Sequence, residues 1–264
     1  MTPTAATPTA ATPTAATGTL SDTAAMRFSG VAKQFPDGTV ALTDADLVVR
    51  PGDFVSVVGP SGCGKSTLLR IASGLDKASA GEVEINGRNV GYVFQDATLL
   101  AWRTVQANIE LFCELEGVSK AERRKRAADA IALVGLSGFE KHLPHELSGG
   151  MRMRTSLARS LTLEPEIFLF DEPFGALDEI TRERLNDELL KLFKARNFAG
   201  LFITHSVAEA VFLSTRVVVM SGRPGRIVAE IDVPFDYPRS PELRYTPEFA
   251  ELSGEVSQHL RSVS

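Results

Sequence analysis

From Met26 onward the apolar positions fall into two alternating kinds of run. Phe54–Val58, Ile167–Asp171, Leu201–Thr204 and Val217–Met220 are short and apolar almost throughout, the pattern of strands covered on both faces. Val83–Ile85 and Tyr92–Phe94 read as further short strands. Between them lie segments with helical spacing: Thr67–Ser73 closed by Gly74, residues 104–134 with many charges, and Arg152–Leu163. Buried strands alternating with helices predict an α/β fold with a parallel sheet. Ligands of such sheets sit at the carboxyl ends of the strands, so the chemistry should follow each apolar run.

The first stretch breaks this pattern. Thr2-Pro3-Thr4-Ala5-Ala6 repeats through Thr7–Ala11 and Thr12–Ala16, with no charge before Asp22. A proline every five residues blocks a regular helix, and the segment lacks the basic start and continuous apolar stretch of a secretory signal. Residues 1–25 therefore read as a flexible tail, and Met26 as a possible alternative start. The whole chain has 264 residues, 44% hydrophobic and 23% charged, with a formal net charge of −5. That supports a sizeable core and argues against wholesale disorder or a globally basic nucleic-acid coat. Ile167–Phe170 and Val217–Met220, the longest apolar runs, fall far short of the roughly 20 residues that span a bilayer. The two cysteines, Cys63 and Cys113, match no metal-ligand spacing and suggest reduced thiols.

The residues after the strands carry the chemistry. Gly59-Pro60-Ser61-Gly62-Cys63-Gly64-Lys65-Ser66 fits G-x-x-x-x-G-K-[ST] between a strand and a helix that takes in Thr67. Glycines let the backbone amides converge on phosphate oxygens, and the helix N-terminus adds partial positive charge. Lys65 should reach the β and γ phosphates, and Ser66 should bind Mg²⁺. Cys63 contributes only its backbone. Ile167–Phe170 delivers Asp171 to the Mg²⁺ shell and Glu172 to a water in line with the γ phosphate.

Leu147-Ser148-Gly149-Gly150-Met151, placed before Asp171, resembles the signature sequence of ABC-type ATPases. Gly175-Ala176-Leu177-Asp178 is similar to that family's D-loop, His205 to its switch histidine and Gln95 to its Q-loop glutamine. Met151 departs from the glutamine common there. The resemblance covers roughly residues 26–233 and implies a P-loop NTPase cassette. Its parts would be a parallel core sheet, a small N-terminal antiparallel β part and an inserted α-helical subdomain at about 96–160, followed by a C-terminal extension at 234–264. It implies two copies head to tail, with Ser148, Gly149 and Gly150 acting on ATP held by the partner's phosphate loop. Ser148 is also suited to cap the helix that follows. By the same resemblance His205 contacts the γ phosphate, Gln95 joins the Mg²⁺ and water shell, and Asp178 belongs to the D-loop. Phe35 stacks on adenine or else packs in the core. Of the four histidines, only His205 directly ends an apolar strand; His142, His145 and His259 read as structural.

Importers of this family keep their ATPase as a separate chain, so permease subunits and, indirectly, a solute-binding protein are implied partners, at the cytoplasmic face of the membrane. Leu99, Leu100 and Trp102 follow Gln95 in a loop and suggest a permease docking surface, unless they pack the helical subdomain internally. Leu99–Val105 and Gly150–Arg154 are similar to the nitrate, sulfonate and taurine branch, whose other members handle pyrimidine precursors and aliphatic amides. Lys120–Arg126 is basic, but its helical context in an acidic chain points to a solvated face and no nucleic-acid partner. A soluble ABC ATPase uncoupled from transport is the alternative. The absence of an Asn-Lys-x-Asp motif removes a GTPase.

Overall fold

The computed structural model describes residues 24–263. Among the described residues nine strands and eight α-helices form two sheets and a helical part. The strands are β1 (Met26–Gln34), β2 (Val40–Val49), β3 (Phe54–Val58), β4 (Ala80–Ile85), β5 (Val90–Val93), β6 (Ile167–Asp171), β7 (Ala199–Ile203), β8 (Arg216–Met220) and β9 (Ile227–Asp232). The helices are α1 (Lys65–Ala72), α2 (Val105–Ile109), α3 (Leu111–Leu115), α4 (Lys120–Leu133), α5 (Gly149–Leu161), α6 (Glu179–Arg196), α7 (Val207–Leu213) and α8 (Pro247–Ser262).

The main sheet runs β5-β6-β7-β3-β8-β9. Its first five strands are parallel, and β9 closes the edge antiparallel to β8. Side chains of a strand alternate between faces, so a strand covered on both faces has no polar positions to spare. Phe54, Phe168, Phe170 and Phe202 enter one core cluster, beneath α5 to α8. Their neighbours Val55, Leu169, Leu201 and Ile203 enter the other, beneath α1 and the antiparallel sheet. The phenylalanine rings pack along and across the strands: centroids lie 5.4 Å apart for the stacked pair Phe168–Phe170 within β6 and 5.6 Å for the tilted pair Phe170–Phe202 between β6 and β7. Gly200 leaves room for this layer: a Cβ there would lie 2.9 Å from the Phe54 ring.

The second sheet, β2-β1-β4, is antiparallel and half exposed. Helices α2 to α5 form the helical part; α2 and α4 both pack on α5. The basic run lies on α4, where Arg123 pairs with Glu110 at 3.1 Å and Arg126 with Glu122 at 2.8 Å. Among the described residues no helix is long and apolar enough to cross a membrane.

Two boundaries differ from the sequence expectation. Ala24 and Ala25, which composition groups with the tail, are buried, and Ala25 is bonded to Val49 and Asn86 through its backbone. The repeat itself lies outside the described residues. At the other end, residues after Val233 form no separate appendage. Phe249 and Val256 of α8 are buried in the same core cluster as the β-sheet phenylalanines, and Phe235, Tyr237 and Leu252 pack against it.

Candidate nucleotide site

Three adjacent strands, β6, β7 and β3, end at the same edge of the sheet and supply the central groups. The phosphate loop follows β3, Asp171 and Glu172 end β6, and His205 follows β7.

The loop Gly59–Gly64 turns the chain from β3 into α1. Gly64 caps α1 with φ 117°, a left-handed conformation, and a Cβ there would lie 2.7 Å from the Ala41 carbonyl. Only glycine satisfies both constraints. With no side-chain cap, the first amides of α1 are left to face the cleft. Lys65 is 5% exposed and folds back, donating to the Gly59 and Pro60 carbonyls at 2.8 and 3.0 Å. Cys63 is buried behind the loop, and a Cβ on Gly59 would lie 3.0 Å from its Sγ. Its thiol takes no place in the cleft.

The cleft has a volume of about 180 Å³ and is lined by Phe35, Ser61, Gly62, Gly64, Lys65, Ser66, Thr67, Glu172 and, unanticipated from the motifs, Arg223. Phe35 is half-buried at its mouth and belongs to neither core cluster. Ser66 donates its hydroxyl to Asp171 Oδ1 at 2.8 Å. Tyr92 donates to Asp171 Oδ2 at 3.3 Å, and burial, followed by the charge of Asp171, pushes the Tyr92 hydroxyl above its ordinary pKa. Tyr92 thus fixes the orientation of Asp171, a contact that β5 adds from the neighbouring strand.

Glu172 sits at φ 44°. A non-glycine residue in that region stores about 1–3 kcal/mol of strain and persists only where its surroundings over-determine it. Here its amide donates to the Ile203 carbonyl at 3.0 Å, and its carboxylate Oε2 lies 3.1 Å from His205 Nδ1. The strained turn aims the carboxylate into the phosphate cleft. The turn bearing His205 is braced from behind. Thr204 donates its hydroxyl to Glu209 of α7, whose carboxyl burial pushes upward, and accepts from the Ser206 amide at 3.0 Å.

Ser148 caps α5, accepting from the Met151 amide at 3.3 Å, and Asp178 caps α6, accepting from the Thr181 amide at 3.0 Å. That amide, then the Thr181 hydroxyl, hold the Asp178 carboxyl below its ordinary pKa. Gly150 and α6 meet closely: a Cβ on Gly150 would lie 2.9 Å from the Thr181 methyl. Ser148, Gly149 and Gly150 do not line the cleft of their own chain. Gln95 is exposed two residues beyond β5, which pairs with the strand bearing Asp171.

The loop after Gln95 is anchored by two buried polar side chains that the motifs do not flag. Asn108 accepts from the Leu100 amide and donates to the Leu100, Arg103 and Thr104 carbonyls at 2.8–3.1 Å. Arg159 donates to the Ala97 and Thr98 carbonyls at 3.1 and 3.0 Å. A polar residue at a core position of the α2 face, between Val105 and Ile109, was the available signal. With the loop held by its backbone, Trp102 is 76% exposed while Leu99 and Leu100 are half-buried. Asn108→Leu should therefore loosen this loop without emptying the core. Limited proteolysis between Asp96 and Thr104 would show accelerated cleavage.

A phosphate loop at the end of a buried strand, with an Asp–Glu pair beside it and a histidine on the glutamate, defines an ATPase cassette. Comparison with known proteins places it further. The ABC transporter family model matches residues 42–175. The chain is 43% identical over 235 residues to the nitrate import ATP-binding protein of Synechocystis, covering 84% of this chain and 88% of that one. It is 43% identical over 234 residues to the taurine import ATP-binding protein of Rhizobium johnstonii, covering 84% and 89%. It is 42% identical over 225 residues to the aliphatic sulfonates import ATP-binding protein of Bacillus licheniformis, covering 83% and 86%. A solved dimeric ATP-binding cassette in a post-hydrolysis state, bound to ADP and Pi, superposes with a TM-score of 0.70 at 32% identity, covering 80% of this chain and all of that one. The chain belongs to the ABC transporter family, and it is an ABC-type ATPase of the importer branch.

Proposed function

We propose that two copies of this chain bind ATP head to tail and that their closure and ATP hydrolysis drive a permease importing a small nitrate-, sulfonate- or taurine-like solute. The observation that carries the reading is the convergence of three strand ends, which brings Ser66 to 2.8 Å from Asp171 and His205 to 3.1 Å from Glu172 beside the phosphate loop. The amides of Ser61–Gly64 and α1 bind the phosphates, with Lys65 released from the loop carbonyls onto the β and γ oxygens. Thr67 contacts the phosphates nearer the ribose, and Phe35 stacks on the base. Glu172 accepts a proton from the attacking water, while His205 orients Glu172 and contacts the γ phosphate.

The Ser66 hydroxyl and Asp171 carboxylate are hard oxygen donors already adjacent, and with the exposed Gln95 they would hold Mg²⁺. Bound there, the ion would neutralise charge building on the phosphate oxygens. Magnesium needs no larger protein cage, since substrate phosphates and water complete its shell.

Ser148, Gly149 and Gly150 stand at the N-terminus of α5 and line no part of their own cleft, so they act on the partner's nucleotide. Asp178, at the start of α6 against Gly150, couples the two sites. Mixing Lys65→Ala with Gly150→Asp subunits tests the pairing. Each variant alone should hydrolyse little ATP, and the mixture should recover a measurable fraction through one intact composite site. No recovery from a mixture shown to contain heterodimers would refute the head-to-tail arrangement.

Leu99, Leu100 and the exposed Trp102 form the permease docking surface, and the assembly sits on the cytoplasmic side of the membrane with a solute-binding protein across it. Trp102→Ala with Leu99→Ser should reduce co-purification with the permease at least tenfold, with ATP affinity unchanged. Loss of both together would sink the docking assignment.

A further inference from the structure

Resting on the nucleotide reading of the cleft, we propose that Arg223 is a polyphosphate-binding residue, delivered to the cleft by the loop between β8 and β9. This loop lies outside every motif that marks the site. Backbone bonds tie it to β2: the Gly225 amide donates to the Ala41 carbonyl at 2.9 Å, and the Thr43 amide donates to the Gly225 carbonyl at 3.0 Å. A Cβ on Gly225 would lie 2.1 Å from the Cys63 carbonyl, so the two loops touch with no space for any side chain at that position. Ser221 closes the loop on itself, accepting from the Arg226 amide at 3.0 Å and donating toward the Gly222 and Pro224 carbonyls.

The loop therefore fixes the backbone on either side of Arg223, whose side chain is exposed. Its Nε donates to the Gly62 carbonyl at 3.1 Å, and Nη2 stands 3.8 Å from where a Gly62 Cβ would be. The side chain lines the cleft with Lys65, Ser66 and Phe35. One donor of the guanidinium is spent on the phosphate loop's outer carbonyl. The terminal amino groups remain, and among the described residues Arg223 forms no salt bridge. Its charge reaches the carboxylate of Asp37. Asp37 is held below its ordinary pKa first by the Thr39 amide, then by the Thr39 hydroxyl, and last by the charge of Arg223.

A nucleoside triphosphate brings three to four negative charges to a cleft whose only other lining cation, among the described residues, is Lys65. Lys65 is a point charge reaching from below the loop. Arg223 offers a planar fork at the rim, the geometry that grips two phosphate oxygens together. The ligand class is a polyphosphate chain, and the base is not read by this residue. Because the same Nε bond ties Arg223 to Gly62, phosphate binding at the rim also stiffens the β8–β9 loop against the phosphate loop.

Isothermal titration on the full chain tests the assignment, using ATP, GTP and inorganic tripolyphosphate against wild type, Arg223→Ala and Arg223→Lys. The expected result is a loss of about 10–100-fold for ATP and tripolyphosphate alike in Arg223→Ala. The ATP-to-GTP ratio should be unchanged, Arg223→Lys should rescue partially, and the loss should shrink at high salt. ATP affinity within twofold of wild type in Arg223→Ala would overturn the proposal. So would a loss for ATP with none for tripolyphosphate, which would mark a base or ribose contact. A loss that Arg223→Lys does not relieve, accompanied by a lower melting temperature of the ligand-free chain, would mark a brace of the phosphate loop and overturn it too. If wild type itself binds no ATP in the same titration, the reading of the cleft fails instead.

Discussion

Glu172→Gln should keep ATP bound and lower the hydrolysis rate about 10²–10⁴-fold, the range that a positioned general base supplies. The substitution removes the proton acceptor and little else. Its amide is close in shape to the carboxylate, so the left-handed turn at φ 44° and the contact with His205 can both survive. Phosphate binding, which rests on the loop amides and Lys65, should change by no more than a few-fold. In the proposed head-to-tail arrangement ATP holds the two copies together and hydrolysis releases them, so the variant should also accumulate as an ATP-dependent dimer. Single-turnover hydrolysis and size-exclusion chromatography with and without ATP measure both effects. A rate within tenfold of wild type would remove Glu172 as the base and shift attention to His205. Glu172→Ala is the harsher companion: it frees His205 from its partner, so ATP affinity and the switch turn should both loosen.

The contrast between what could and could not be read along the chain has a physical basis. Strands β3, β6 and β8 were legible because burial on both faces leaves a continuous apolar run. The phosphate loop, Asp171–Glu172 and the Ser148 cap were legible because their geometry is local, fixed by a few neighbouring residues. Strands β1 and β2 were not, because one face is solvated and register shifts at Phe28/Val31 and Val31/Lys33 break the alternation. Helix α6 was obscured by its charges, although Leu185, Leu189, Leu192 and Phe193 form a buried stripe. Arg223 could not be found from spacing, since it meets Gly62 across 161 residues. Tyr92 and Arg159 share that difficulty: each is an ordinary polar residue until the fold brings it to the group it orients.

Arg239 is the extreme case, and its removal carries the largest expected cost in stability. No motif or periodicity in the sequence singles out this arginine. In the structure it is 7% exposed and donates to five acceptor contacts: the Val211, Phe212 and Ser214 carbonyls at 2.8–3.1 Å and the Phe235 carbonyl twice, at 2.7 and 3.1 Å. Tyr237 covers the guanidinium at 4.2 Å and donates its own hydroxyl to the Leu213 carbonyl at 2.6 Å, while burial pushes that hydroxyl's pKa up to about 12. The Val211, Phe212, Leu213 and Ser214 carbonyls belong to the C-terminal end of α7, so the cation also lies at the negative pole of that helix. Burial pulls the Arg239 pKa downward, a measure of what its desolvation costs; the ring of carbonyls offsets that cost. Arg239→Met keeps most of the volume and strands the carbonyls in a dry site. Leaving buried acceptors unpaired costs about 1–3 kcal/mol each and is not additive, so a total of about 3–5 kcal/mol is expected. For a chain of this size that lowers the melting temperature by roughly 6–20 °C. Tyr237→Phe, which gives up one hydrogen bond, should cost only about 1 kcal/mol. Thermal unfolding followed by circular dichroism separates the two. Helix α7 begins just after His205, so the Arg239→Met protein should also hydrolyse ATP more slowly below its melting temperature, with ATP still bound. An unchanged melting temperature would show that the Arg239 contacts contribute nothing to the packing of this segment. A large drop would show that they hold in place the helix that carries the switch turn.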